Sequence, residues 1–128
     1  MANAKHTSKQ QVGDYGEDLA AAHLELHGYA CIARNLKSRF GEIDIIAQND
    51  RHLLFVEVKT RRASAYASAG LSAREAVGYR KRQRLIATAE LYLAAHPTAR
   101  QPRFDVICVE LTPAGDCLGV EWIENAFA

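Results

Sequence analysis

Asp44, Glu57 and Lys59 fall on two apolar runs joined by a short polar turn within Gly41 to Thr60, GEIDIIAQNDRHLLFVEVKT. Glu42 to Gln48 and His52 to Thr60 have the Ile, Leu, Val and Phe content of strands, and Asn49-Asp50-Arg51-His52 between them has turn composition. With Asp50 and Arg51 at the tip, Asp44 falls opposite Glu57 and Glu42 opposite Lys59. The two-residue period of a strand then gathers Glu42, Asp44, Glu57 and Lys59 on one face and Ile43, Ile45, Val56 and Val58 on the other. The plain alternative is a solvated polar face with a Glu42–Lys59 ion pair. It leaves two carboxylates facing each other, which weakens a sheet, and like charges raise a carboxyl pKa unless a cation holds both groups ionised. Mg²⁺ or Mn²⁺ suits that role, since hard ions take oxygen ligands from one or two carboxylates, waters and phosphate oxygens. A lysine two residues past Glu57 is then positioned to orient an attacking water or to stabilise charge developing on a phosphate.

Several elements must carry this hairpin. From about Lys9 to His27, Val12, Tyr15, Leu19, Ala22 and Leu26 follow a helical stripe that Gly28 ends. Tyr29 to Asn35 is expected as a strand, followed by a basic link at 37–39 and the hairpin. Residues 61–71, small and polar, are expected as a mobile loop. Ser72-Ala73-Arg74-Glu75 has capping-box spacing for a helical region that runs to about Ala95 and that Gly78 divides. Pro97 ends it, and strands at Arg103 to Leu111 and Leu118 to Ile123 flank a turn at Pro113 to Asp116. The order α-β-β-β-α-β-β predicts an α/β (mixed α+β) protein with a mixed central sheet flanked by helices.

The 128 residues suit one domain, with 1–8 expected to be disordered. The start, MANAKHTSKQQ, has no apolar run like a signal peptide, and no stretch nears the roughly 18 apolar residues of a membrane span. Cys31, Cys108 and Cys117 are odd in number and lack C-x-x-C spacing, which argues against a disulfide framework or a zinc site and for a cytoplasmic protein. The net charge of +1 hides a strong asymmetry. Residues 59–84 hold eight basic side chains and one acidic, against six and eight before them and two and six after. Lys59, Arg61, Arg62, Arg74, Arg80, Lys81, Arg82 and Arg84 form this block. Such a run is commonly a solvated face, but this one adjoins the acidic pair, and a polyanion is the partner suited to both.

Asp44, twelve intervening residues and then Glu57-Val58-Lys59 resemble the D-x(n)-(D/E)-x-K core of the PD-(D/E)XK nucleases, with Ile43 where that superfamily has its proline. Together with Gly16-Glu17, Gly41-Glu42-Ile43-Asp44, Phe55 to Arg61 and Arg103-Phe104-Asp105-Val106, the chain resembles the YraN-like family over roughly residues 10 to 125. These small bacterial proteins are related to archaeal Holliday-junction resolvases and are described as candidate endonucleases. The resemblance implies a restriction-endonuclease-like fold and a Mg²⁺- or Mn²⁺-dependent deoxyribonuclease acting on branched, flap or single-stranded-containing DNA. It implies that Asp44, Glu57 and the Val58 carbonyl hold the metal, that Lys59 orients or activates water, and that Glu17 approaches the metal from the first helix. Arg61, Arg62, Arg80, Lys81, Arg82 and Arg84 would contact phosphates, the 61–71 loop would close over substrate, and a homodimer is expected by analogy alone. The alternative is a nucleic-acid-binding or assembly module of the same fold that turns nothing over.

Other candidates carry less. His23 and His27 have i, i+4 spacing but lack an H-E-x-x-H arrangement and a third ligand. Arg103 and Asp105 suit a structural ion pair at least as well as substrate contact, and Tyr66 and Tyr79 suit packing better than base stacking. No dinucleotide loop, P-loop or nucleophile elbow is present to support a small-molecule enzyme.

Overall fold

In a computed structural model, residues 8–63 and 77–127 are described. Helix α1 (Lys9–Leu26) leads into strands β1 (Ala30–Lys37), β2 (Glu42–Gln48) and β3 (His52–Arg62). Helix α2 (Tyr79–Ala95) connects to β4 (Gln101–Leu111) and β5 (Cys117–Phe127). The seven elements come in the expected order. They build one five-stranded mixed sheet in the order β1-β2-β3-β4-β5, in which only β3 and β4 run parallel. A parallel neighbour requires a crossover, which α2 supplies.

The two helices cover opposite faces. Along β2 and β3, Ile45, Ala47, Leu54 and Val56 pack with Ala20 and Leu24 of α1, whereas Ile46, Leu53 and Phe55 pack with Leu85 and Ala89 of α2. Both strands are apolar on both faces because both faces are covered, and each fully buried Leu, Ile or Val contributes about 1.5–3 kcal/mol. The mixed sheet with one helix layer on each side is compatible with a restriction-endonuclease-like fold. No helix among the described residues is long and apolar enough to cross a membrane.

Three expectations change in detail. The buried line of α1 is Gly16, Ala20 and Leu24, while Ala22 and Leu26 face solvent. The small residues mark the real seam: a Cβ on Gly16 would lie 1.8 Å from Thr60 Oγ1, so only glycine lets α1 approach β3 this closely. Ser8, assigned to a disordered tail, instead caps α1. Its Oγ accepts from the Gln11 amide at 3.0 Å while Gln11 Oε1 accepts from the Ser8 amide at 3.2 Å, a capping box at the other end of the chain from the one expected. Ser72 to Glu75 lie outside the described residues. Arg61 and Arg62, assigned to a loop, continue β3 opposite Glu110 and Leu111. The rest of that loop, from Ser64 onward, is likewise outside the described residues.

Candidate active site

The site forms where the sheet divides. β2 and β3 pair in the expected register, Gln48 with Leu53 through to Ile45 with Val56, and there the ladder stops. Beyond it β2 stays with β1, Glu42 opposite Lys37, and β3 stays with β4, Arg62 opposite Leu111. Asp44 occupies the mouth of this fork, and its Oδ2 accepts from the Val58 amide at 2.8 Å where a ladder bond would otherwise run. The amide and carbonyl of a strand residue point the same way, so the Val58 carbonyl opens into the fork as well.

The division corrects two details of the expected hairpin. Glu42 does not face Lys59, because the strands have parted before that pair is reached. Ile43 packs with the α2-side cluster and Ile45 with the α1-side cluster, although strict alternation puts them together. Asn35, bracketed with Asp44 by the pairs Arg34–Ile45 and Leu36–Ile43, has φ of 54°. That left-handed backbone, which asparagine tolerates better than most residues, lies in β1 across from the step at which β2 departs from alternation.

Asp44 and Glu57 line two adjoining clefts. One, of about 280 Å³, includes Lys9, Gly13 and Glu17 of α1 with Val58, Lys59, Thr60 and Lys81. The other, of about 300 Å³, includes Gly41, Glu42, Lys81, Arg84 and Leu85. The carboxylate pair is thus reachable from both sides of the fork. Glu57 is only 4% exposed, and its Oε2 meets two ammonium groups, Lys59 Nζ at 3.6 Å and Lys81 Nζ in closer contact.

Electrostatics follow from this crowding. Burial, and then the charge of Glu57, push the Asp44 carboxyl up to about 8, against which the Val58 hydrogen bond works. Burial also raises Glu17, partly countered by Arg34, whose Nη2 lies 3.5 Å from Glu17 Oε1. Lys59 is lowered by burial and by neighbouring Lys81. Burial works to lower Lys81 as well, but the bond to Glu57, the charge of Glu57, the contact with Lys59 and the charge of Asp44 together outweigh it and leave Lys81 raised.

These groups fit a hard dication. Two carboxylates that repel each other without one, together with a carbonyl opening into the same fork, are oxygen donors suited to Mg²⁺ or Mn²⁺, and the clefts leave room for waters and phosphate oxygens. Among the described residues no three His, Cys, Asp or Glu side chains converge on one point. Glu17 therefore shares the cleft with the pair without completing a three-carboxylate cluster.

The basic residues separate. Lys81 and Arg84 line the cleft with the carboxylates. Arg80 is exposed on α2 and lines neither cleft, and Arg82 is half-buried with its Nε unpartnered among the described residues. Arg61, 3.5 Å from Glu110, and Arg62 are exposed at the far end of β3. The contact between Lys81 and Glu57 was missed in the sequence, yet a signal was present. Lys81, Leu85, Thr88 and Ala89 share one helical stripe, and Lys81 extends the core-facing line past the edge of the core.

Arg103 and Asp105 are structural. Asp105, fully buried, accepts from Arg103 Nε and Nη2 at 2.9 Å each, from Trp122 Nε1 at 2.8 Å and from the Asn125 amide at 2.9 Å. The His23 and His27 rings lie 4.4 Å apart, tilted by 37°, and both meet Trp122 edge-on. Tyr79 is 69% exposed, and Tyr66 lies outside the described residues.

A mixed sheet between two helices, with an Asp, a Glu-x-Lys and a cleft at its division, makes this a small α+β protein compatible with a restriction-endonuclease-like fold. The chain belongs to the uncharacterised protein family UPF0102, the YraN-like group, whose model matches residues 16–109. It is 42% identical over 123 residues to a UPF0102 protein of Clostridium acetobutylicum, covering 95% of this chain and 98% of that one. A UPF0102 protein of Symbiobacterium thermophilum is 48% identical over 119 residues, covering 92% and 97%. One of Dichelobacter nodosus is 41% identical over 126 residues, covering 98% and 94%.

Proposed function

We propose that this protein is a Mg²⁺- or Mn²⁺-dependent endonuclease that hydrolyses phosphodiester bonds in DNA carrying a branch, flap or single-stranded element. The observation that carries this reading is the meeting of Asp44, Glu57, the Val58 backbone and Lys59 in one fork open to solvent on both sides. When bound there, the dication would supply Lewis-acid polarisation and a lowered pKa for water. Asp44, Glu57 and the Val58 carbonyl are the groups that would hold it. Lys59, beside Glu57 and lining the α1-side cleft, orients the attacking water and donates to the phosphate as charge builds on it. Glu17, in the same cleft, holds a proton more readily than an ordinary carboxyl and assists the water. Arg84 lines the second cleft and Arg80 is exposed in the same first turns of α2, and both would track the phosphate backbone.

The test is a gel assay with end-labelled four-way junction, flap, single-stranded and linear duplex DNA in Mn²⁺, beside Glu57→Ala. Cleavage lost both in the variant and with EDTA supports the nuclease. Retained mobility shifts without cleavage in either protein point to the second reading, a binding module without turnover. One observation favours that alternative: two lysines already neutralise Glu57.

A further inference from the structure

Two ammonium groups converge on a single carboxylate oxygen in this site, and they come from different elements. Lys59 belongs to the strand that carries Glu57. Lys81 comes from the first turn of α2, twenty-four residues further along, and makes the closer contact. Glu57 Oε2 is thereby taken, and a dication entering the fork would meet both positive charges at short range. One lysine must give way. Lys59 lines only the α1-side cleft, with its side chain 30% exposed, whereas the Lys81 side chain is 43% exposed and lines both clefts, so its stem can swing to solvent on either side.

The surroundings of α2 add a second, independent reason for the contact. The helix begins with Gly78, which offers no side-chain cap, and its first turn holds no acidic residue but Arg80, Lys81 and Arg82. Cations are misplaced at the positive end of a helix, and among the described residues Glu57 is the carboxylate that pairs with one of these three. Lys81 therefore joins the start of α2 to the carboxylate.

We infer that Lys81 is a resident cation which a divalent metal must displace from Glu57, so that this helix residue sets the metal affinity of the site. The inference rests on the metal-centred reading above and goes beyond it, because it assigns Lys81 a role before any nucleic acid binds. Displacement frees the ammonium at the junction of the two clefts, where a phosphate would meet it.

The experiment is calorimetric titration of the whole protein with Mn²⁺ alone, comparing wild type with Lys81→Gln, Lys81→Arg, Arg84→Gln and Glu57→Gln, each checked for folding by circular dichroism. Loss of a charge-assisted hydrogen bond that competes with the metal should tighten Mn²⁺ binding about tenfold or more in Lys81→Gln. Lys81→Arg, which keeps the charge and the donor, should stay near wild type. Arg84→Gln removes an equal charge from the same cleft without a Glu57 contact and should tighten binding far less. Equal or weaker binding by Lys81→Gln, with binding still lost in Glu57→Gln, overturns the inference and leaves the metal site standing. Equal tightening by Arg84→Gln also overturns it, since the effect would then be general charge. Mn²⁺ binding that is absent, or indifferent to Glu57→Gln, sinks the metal reading itself and the inference with it.

Discussion

Replacing Asp44 with asparagine should stabilise the metal-free protein, and increasingly so as the pH rises. Burial in the fork and the charge of Glu57 hold the Asp44 carboxyl at about 8 instead of 3.8, so the folded protein keeps a proton that the unfolded chain releases. The folded-state pKa of an acid is raised here, so stability is highest below the unfolded value and falls as the pH climbs between the two. The slope is about 1.4 kcal/mol per pH unit, which amounts to about 4 kcal/mol by pH 7. Water in the two clefts screens part of this, leaving an expected gain of about 2–4 kcal/mol for Asp44→Asn at neutral pH. Asparagine keeps an oxygen for the Val58 amide, so the local hydrogen bond survives. Urea unfolding followed by circular dichroism in EDTA, at about pH 4, 6 and 8, reads the effect directly. The two proteins should nearly coincide at the acid end and diverge upward. A difference that is flat with pH, or a variant less stable at about pH 8, would refute the reasoning. Mn²⁺ should narrow the gap by stabilising wild type and not the variant.

Lys59→Ala should abolish cleavage while leaving DNA retention on filters nearly intact, and turnover equal to wild type would remove its assigned role. Glu17→Gln should weaken Mn²⁺ binding about tenfold in calorimetry, as expected of a residue next to the ligands, and unchanged affinity would leave it a helix residue paired with Arg34. Gly16→Ala gains about 1 kcal/mol of helix propensity but drives a methyl into Thr60, for an expected net loss of about 1–3 kcal/mol. Thr60→Ala in the same chain should restore most of that loss, and additive effects in denaturant unfolding would count against the contact. Asp105→Asn should cost about 3 kcal/mol because it removes the buried charge that Arg103 faces and leaves that guanidinium only the exposed Glu124, 2.9 Å away, as an anionic partner. Metal affinity unchanged at a temperature where the variant is folded would confirm that this network is remote from the fork.

Much of this was legible because the signals were local. Apolar runs separated by a polar tetrad gave β2 and β3 and four correct pairs of their register, and the triplet Glu57-Val58-Lys59 marked its own strand. The division of the sheet was not legible, since it depends on β1 and β4 each retaining one strand, pairings that the hairpin's own sequence does not specify. The α1 stripe was displaced for a different reason. Large residues attract attention in a periodicity, but close contact is made where residues are small, at Gly16 and Ala20. Lys81 could be read as core-facing from its stripe with Leu85 and Ala89, but that it meets Glu57 is a long-range contact the stripe does not name.

The parting of β2 from β3 gives this sheet an edge in its interior. An ordinary edge strand offers its unpaired amides and carbonyls to any passing chain and must be blunted against strand addition. Here the open backbone of β3 lies between two helices, with α1 pressed on Thr60 through Gly16 and α2 reaching Glu57 through Lys81. Open main-chain donors and acceptors are thus kept available to small hydrated groups and ions, while a third strand is excluded by the helices on either side.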